Sequence, residues 1–279
     1  MDRVSKSDFY LTLPSDAHYD NKTGDYTVRL PYQINLPGEW QCALTDILYP
    51  FSWTSISNTR DRNDYTAAEN CLYIIANNGK MYKVFVQPDH YDDVEVLCDE
   101  IMKSIFETIM VSEEEDNQYR NMKKGNAIVA VGQLCYFSFE SDIRRASVVL
   151  KTDIIREIIL SKRLQYMLGM ETAFLKNKEN IAKYPPALSG TEALWVYCDI
   201  IENQVIGNTT GQLLKIVHVE GEFGKYIEKS FTNPHYLPIL SKKIDQIKIS
   251  IRERSGKVTP FQFGSVVIKL HIKRKRFLI

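Results

Sequence analysis

Apolar and polar residues alternate along three runs in the first fifty residues of the chain: "DFYLTLP", "DYTVRLP" and "GEWQCALTDILYP". In the first run, for example, Phe9, Leu11 and Leu13 share one face. An alternation with a period of two is typical of β-strands that have one buried face and one wet face. The pattern therefore predicts three half-buried strands before residue 51.

The same alternation returns near residue 193 and continues almost to the end of the chain. Five further strand candidates are separated by clusters of Gly, Pro and Asn: "ALWVYCDII", "QLLKIVHV", "KYIEKSF", "IDQIKISI" and "SVVIKLHI". Together with the first three they make eight antiparallel strands with no long helix among them. The fold class predicted from this pattern is mainly β, a sandwich of two sheets.

The middle of the chain has a different character. An Asn-Asn-Gly turn predicts a hairpin, and an apolar stripe at helical spacing predicts an amphipathic helix over 93–109. A short helix follows, with Ser161 as its N-cap and Gly169 as its stop. We therefore predict a sandwich domain formed by 1–58 and 190–279, and an inserted α+β domain at 71–189. Residues 176–190 are predicted to be the linker that leaves the insertion.

Charge and composition narrow the possible functions. The chain has 35 basic and 35 acidic residues, and this balance argues against a surface built throughout to bind nucleic acid. It contains no run of about 18 apolar residues, so we expect no membrane span. The first ten residues lack the apolar core of a signal peptide, and a reducing compartment is therefore expected. Five widely spaced cysteines are predicted to be buried, reduced thiols: residues 42, 71, 98, 135 and 198.

No group of residues in the sequence indicates catalysis. The five histidines are scattered and lie in no metal-binding spacing, and the sequence has no nucleophile elbow, phosphate loop or dinucleotide fingerprint. We therefore expect no catalytic residues, no cofactor and no metal, and regard the protein as a non-enzyme.

Aromatic residues flank two of the predicted strands. Tyr49, Phe51 and Trp53 follow the third strand, and Phe261 and Phe263 precede the last one. Large aromatic side chains dominate both cores and interfaces, so these five are candidates for subunit contacts or for plugs at the end of the sandwich. A platform that stacks on a ligand is a third possibility.

Four consecutive basic residues follow the last apolar alternation: Lys273, Arg274, Lys275 and Arg276. Three explanations compete for them: charge that discourages edge-to-edge aggregation, an arm that contacts phosphates, and a nuclear localisation patch.

Several phrases of the sequence resemble the minor capsid (penton) proteins of Polinton/Maverick elements, adintoviruses and related virophage-like viruses. The phrases are "DFYLTLPSDA", "YTVRLPYQINLPGEWQCALTDILYPFSW", "LWVYCDIIENQVIGNTTGQLLKIV" and "SKKIDQIKISIRERSGKVTPFQFGSVVIKLHIKRKR". The resemblance covers 8–55 and 193–276. It is thinner in the insertion, where it is limited to "VQPDHYDDVEVL" and "LSKRLQYMLGM".

The resemblance implies a single jelly roll that assembles into homopentamers at the fivefold vertices of an icosahedral particle. It also implies a double jelly-roll major capsid protein as partner, a location in the virion after assembly inside the host cell, and no enzymatic role. With the eight strands lettered B to I, strand I lies between B and D, and the insertion lies between D and E. The residues from Lys273 onward would then form an arm that projects toward a neighbouring subunit or the packaged DNA.

Two alternatives from other classes remain open. One is a β-sandwich binding module that recognises a glycan or a host receptor, including a domesticated copy that no longer serves a virus. The other is an enzyme on a β-sandwich or cupin-like barrel, which would require a metal cluster.

Overall fold

The computed structural model describes residues 7–57, 69–114, 134–188 and 190–275. The chain divides into two compact units. The first consists of Met1–Trp53 and Thr191–Ile279, and the second of Thr54–Gly190. No described helix is long and apolar enough to cross a bilayer.

Strands and helices are numbered in chain order. The first unit begins with β1 (Asp8–Pro14), β2 (Asp25–Asn35) and β3 (Trp40–Pro50). The second unit contains β4 (Cys71–Ala76), β5 (Met81–Phe85), α1 (Val94–Glu114), β6 (Cys135–Glu140), β7 (Arg145–Leu150), β8 (Ile155–Leu160), α2 (Lys162–Leu168), β9 (Phe174–Leu175) and β10 (Glu179–Ile181). The first unit resumes with β11 (Ala193–Cys198), β12 (Gln204–Ile206), β13 (Thr209–Gly211), β14 (Leu213–His218), β15 (Tyr226–Ser230), β16 (Leu237–Pro238), β17 (Lys243–Arg252) and β18 (Val267–Arg274).

Two antiparallel sheets form the first unit. One has the order β1-β18-β3-β15, with β16 added beside β3, and the other has the order β14-β11-β17-β2. In jelly-roll lettering these orders are B-I-D-G and F-E-H-C. The predicted fold class, a single jelly roll of eight antiparallel strands with an inserted α+β unit, is therefore confirmed, and so is the central position of the last strand.

The core of the jelly roll lies between the inner faces of these sheets. Along β18, Ile268, Leu270 and Ile272 are buried, and the residues between them are only half-buried. The predicted alternation thus becomes one core face and one wet face. The Tyr26 hydroxyl donates to the Leu13 carbonyl oxygen at 3.2 Å, so a buried hydrogen bond links β2 to β1 of the opposite sheet.

The second unit has its own core. Helix α1 buries the predicted apolar stripe against two small sheets, whose strand orders are β5-β4-β8-β9 and β10-β7-β6. The buried members of that stripe are Leu97, Cys98, Ile101, Ile105 and Ile109. The N-terminus of α1 is capped by Asp93, whose carboxylate accepts a hydrogen bond from the Glu95 amide at 2.7 Å.

The short helix α2 has the predicted caps. The Ser161 hydroxyl accepts from the Leu164 amide, and Gly169 adopts a left-handed conformation with φ +71°. The predicted linker was wrong in part, because Glu179–Ile181 pairs with β7 as an edge strand of the three-stranded sheet. Three residues are too few to show an alternation that a sequence pattern could reveal.

Candidate assembly surfaces

An aromatic cluster lies where β3 ends in the jelly roll, and its centre is Trp53. The Trp53 ring lies 4.6 Å from Phe51 and 6.2 Å from Tyr49, centroid to centroid. Phe261 meets Trp53 edge-on at 5.5 Å. The structure thus brings together four of the five aromatic residues singled out in the sequence.

Burial separates the members of this cluster. Tyr49 and Trp53 are buried, the latter with 1% of its surface exposed, and burial raises the pKa of Tyr49 to about 12. Phe51 and Phe261 are partly buried against the same core. Phe263 is 47% exposed. Tyr49 and Trp53 therefore serve as core residues in this chain, and Phe263 has the most surface left for a neighbour to contact.

Two exposed aromatic residues that the sequence pattern did not single out lie beside this cluster. Phe223 meets Phe51 edge-on at 6.0 Å, and the Tyr226 hydroxyl accepts from the Ser265 amide at 3.1 Å. We call the exposed residues Phe223, Tyr226 and Phe263 the aromatic rim. The sequence signal for this contact is the glycine at position 264. The Tyr226 hydroxyl comes so close to Gly264 that a side chain would not fit at that position.

The basic run at the end of β18 is part of the sheet. Lys273 pairs with Asp8 and Gln41, and Arg274 pairs with Trp40. For Lys273 and Arg274 the expectation of a projecting arm was therefore wrong, because backbone pairing continues past the last apolar residue. Lys275 also stays close, since its ammonium lies 3.0 Å from the Glu39 carboxylate. Arg276 lies outside the described residues.

The wet face of β18 carries a network of rings and charges. His271 stacks on Tyr10 at 4.4 Å, and its Nδ1 lies 2.8 Å from the Tyr236 hydroxyl. The Lys273 ammonium lies 3.3 Å from the centre of the Tyr236 ring. Burial lowers the pKa of His271; the Asp8 carboxylate opposes this effect, and Lys273 adds to it.

A second lysine on this face is also close to an acid. The Lys269 ammonium lies 3.8 Å from the Asp46 carboxylate, which accepts from the Ser230 hydroxyl at 2.6 Å. That hydrogen bond is the main cause that lowers the pKa of Asp46. The positive charges of this face are thus matched by carboxylates and aromatic rings.

The five cysteines are free and buried, as predicted. Burial raises the pKa of Cys98, Cys135 and Cys198 to about 12, so these thiols stay protonated at neutral pH. Among the described residues, no group of three or more His, Cys, Asp or Glu side chains is placed to hold a metal ion.

A polar cleft of about 320 Å³ lies on the outer face of the other jelly-roll sheet. Asn21 fixes its loop, because the side-chain amide donates to the Thr27 carbonyl and accepts from the Thr27 amide. The lining residues are Ala17, His18, Asn21, Thr27, Arg29 and Gln246. Such a lining offers hydrogen-bond donors and acceptors together with one guanidinium group.

No protein-family model and no curated protein matches this sequence. Among solved structures, the chain is similar to the crystal structure of the selenomethionine-labelled mavirus penton protein. The identity is 10%, the TM-score is 0.48, and the match covers 97% of this chain and 100% of that one. It is also similar to a chain in the cryo-EM structure of the Sputnik virophage, with 11% identity, a TM-score of 0.46, and coverage of 97% and 98%.

Proposed function

We propose that this protein is a structural component of an icosahedral virus particle. In this proposal it is a penton-type minor capsid protein whose homopentamers occupy the fivefold vertices beside a double jelly-roll major capsid protein. One observation carries the proposal: the sequence phrases that resemble such proteins form the strands of a jelly roll with orders B-I-D-G and F-E-H-C. The proposed role is structural, not enzymatic.

The oligomeric state of the purified protein tests this proposal. Light scattering after size-exclusion chromatography is expected to give five times the 32.3 kDa mass of one chain, with five-membered rings in negative stain. The measurement should be made on the protein alone and after co-expression with a double jelly-roll major capsid protein. A folded chain that stays monomeric in both preparations would contradict the proposal.

Packaged DNA is a further proposed partner, through the C-terminal basic run. The Lys275 ammonium already lies 3.0 Å from the Glu39 carboxylate, and the Lys273 ammonium lies over the Tyr236 ring. Phosphates would have to compete with these contacts. Binding of a duplex oligonucleotide that weakens steeply with salt, and weakens further in a Lys273→Ala/Lys275→Ala variant, would support this partner. Binding that is independent of salt would exclude it.

A second candidate function is glycan binding at the polar cleft. Arg29 could pair with a sugar carboxylate, and the amides of Asn21 and Gln246 suit hydroxyl groups. Glycan-array binding by the wild-type chain that is lost in Arg29→Ala, with an unchanged melting temperature, would favour this function. Equal glycan binding by wild type and Arg29→Ala, or binding by neither, would exclude the cleft as a glycan-binding site.

A further inference from the structure

A groove of about 380 Å³ opens at the end of the jelly roll where β3 begins. It is lined by the loop before β3, by the segment between β16 and β17, by Glu202 and by Lys275. A cavity of this size is typical of sites that enclose a small ligand or a few apolar side chains. Five of the lining side chains are apolar: Leu36, Trp40, Pro238, Ile239 and Leu240.

The walls of this groove are held by hydrogen bonds between backbone groups. The Ile239 amide donates to the Trp40 carbonyl oxygen at 2.9 Å, and the Leu240 amide donates to the Ile200 carbonyl oxygen at the same distance. These backbone groups are therefore satisfied, and the groove offers an occupant mainly side-chain surface. The side chain of Leu240 is 63% exposed, so it has apolar area left for a contact.

The charged residues of the groove balance each other. The Lys275 ammonium lies 3.0 Å from the Glu39 carboxylate, and Glu202 and Lys242 add one charge of each sign. Such a lining has no net charge that would select an anion or a cation. We therefore expect an apolar occupant, because burial of apolar surface is the favourable interaction that remains.

The sequence supplies such an occupant directly beside the groove. Residues 276–279 read Arg-Phe-Leu-Ile and lie outside the described residues. Lys275, which precedes them, lines the groove, and its amide donates to the Glu39 carbonyl oxygen at 2.9 Å. This bond fixes the point from which the segment starts. An extended residue spans about 3.3 Å, so all four residues start within about 14 Å of Lys275.

We propose that this groove binds the apolar side chains of Phe277, Leu278 and Ile279 of the same chain. Three apolar residues in succession lose unfavourable contact with water when they enter an apolar groove. The short tether through Arg276 gives the segment a far higher effective concentration at its own groove than a segment of a separate chain has. The inference goes beyond the proposed function and does not depend on it, because it concerns the fold of a single chain.

A disulfide between two engineered cysteines tests this proposal. Leu240→Cys/Leu278→Cys places one thiol in the wall of the groove and one in the segment. The five cysteines of the chain are buried and therefore react slowly under mild oxidation. Lys242→Cys/Leu278→Cys, at an exposed position of the same wall, is the second variant and replaces the first if Leu240→Cys lowers the melting temperature.

Tyr19→Cys/Leu278→Cys is the matched control. Tyr19 is 89% exposed and lies in the loop between β1 and β2. That loop leaves β1 at Pro14, which pairs with Val267 at the start of β18. Lys275 follows the other end of β18, about 26 Å away along the strand, and the three residues up to Leu278 span only about 10 Å. The segment is therefore not expected to reach the control thiol within one chain.

We expect the groove disulfide to form at least about tenfold faster than the control disulfide and to leave the chain monomeric on a denaturing gel. Peptide mass spectrometry on a mixture of isotope-labelled and unlabelled protein shows whether each link joins one chain or two. Equal rates in the groove and control variants would overturn the inference. Links between labelled and unlabelled chains would also overturn it, and would assign the groove to a second copy of the chain. Neither result affects the proposed function, which the oligomeric state of the wild-type protein tests.

Discussion

Arg274 on β18 lies opposite Trp40 on β3, and its backbone amide donates to the Ser7 carbonyl oxygen at 2.9 Å. The next residue continues this arrangement, because the Lys275 amide donates to the Glu39 carbonyl at 2.9 Å. The described part of the basic run is thus held by both neighbouring segments of its sheet. Backbone pairing, rather than the apolar pattern of the side chains, decides where this strand ends.

Truncation of the C-terminus separates a structural role of the run from a binding role. A chain that ends at Ile272 loses the pairing of Lys273 and Arg274 and the Lys275 amide bond, which we expect to cost about 2 kcal/mol of unfolding free energy. A chain that ends at Lys275 keeps all of these bonds and serves as the matched control. Urea denaturation of both chains measures the difference, and equal midpoints would show that the pairing contributes nothing.

Gly264 is expected to be intolerant of any side chain. Its φ is +80°, and a Cβ atom there would lie 2.5 Å from the Tyr226 hydroxyl oxygen and 3.0 Å from Pro50. Gly256 has a similar φ of +84° but nothing within 4 Å of its Cβ position. Gly256→Ala therefore measures the backbone strain alone, about 1 kcal/mol, and Gly264→Ala should cost clearly more. Thermal unfolding of the two variants tests this order, which a larger loss at Gly256 would contradict.

The aromatic cluster should divide into a folding part and an assembly part. Trp53→Ala removes a buried ring and is expected to cost about 3–5 kcal/mol of unfolding free energy. Phe263→Ala, at the rim, should change stability by less than about 0.5 kcal/mol yet weaken ring formation. Chemical denaturation and light scattering give the two readouts. If Phe263→Ala assembles as wild type does, the rim is not a subunit contact.

Local patterns predicted the strands of the jelly roll because each strand has one face in the core, and burial imposes the period of two on the sequence. The pairing partner of each strand cannot be predicted from local patterns in this way. Asp8 and Lys273 pair across almost the whole chain, and no pattern within either strand shows this. The central position of strand I came from the resemblance to a family, and the periodicity alone left it open.

The candidate site was harder to predict than the fold. Alternation places an aromatic residue on a face, but it does not show whether a later segment covers that face. Trp53 is buried because Phe51 and Phe261 close over it, and those residues come from opposite ends of the chain. The end of β18 was misplaced for a related reason: Lys273 and Arg274 have no apolar side chains to signal a pairing that involves only the backbone.

The stability of the jelly roll should fall as His271 becomes protonated. Its pKa in the folded chain lies below its ordinary value of 6.5, mainly because of burial, so the unfolded chain binds the proton more tightly. The stabilisation is complete above about pH 6.5 and is lost as the pH falls toward the folded pKa.

Removal of the titrating group tests this sign. His271→Gln keeps a polar side chain that can hydrogen-bond to the Tyr236 hydroxyl but does not titrate, so its melting temperature should fall less than that of wild type between pH 7 and pH 5. His235→Gln, at an exposed position next to Tyr236, is the control for the loss of a histidine from the same part of the chain. Identical slopes for His271→Gln and wild type would contradict the prediction.

The two compact units are proposed to unfold separately, and Gly169 offers a way to weaken only one of them. This residue has φ +71°, and a Cβ atom there would clash with the Tyr184 carbonyl oxygen, so Gly169→Ala should cost more than about 1 kcal/mol in the second unit. Calorimetry of the variant should then show one transition shifted to lower temperature and another, from the jelly roll, left in place. Gly256→Ala lies in the jelly roll and should instead shift the jelly-roll transition, leaving the transition of the second unit in place. A single transition that moves in both variants would show that the insertion and the jelly roll fold as one cooperative unit.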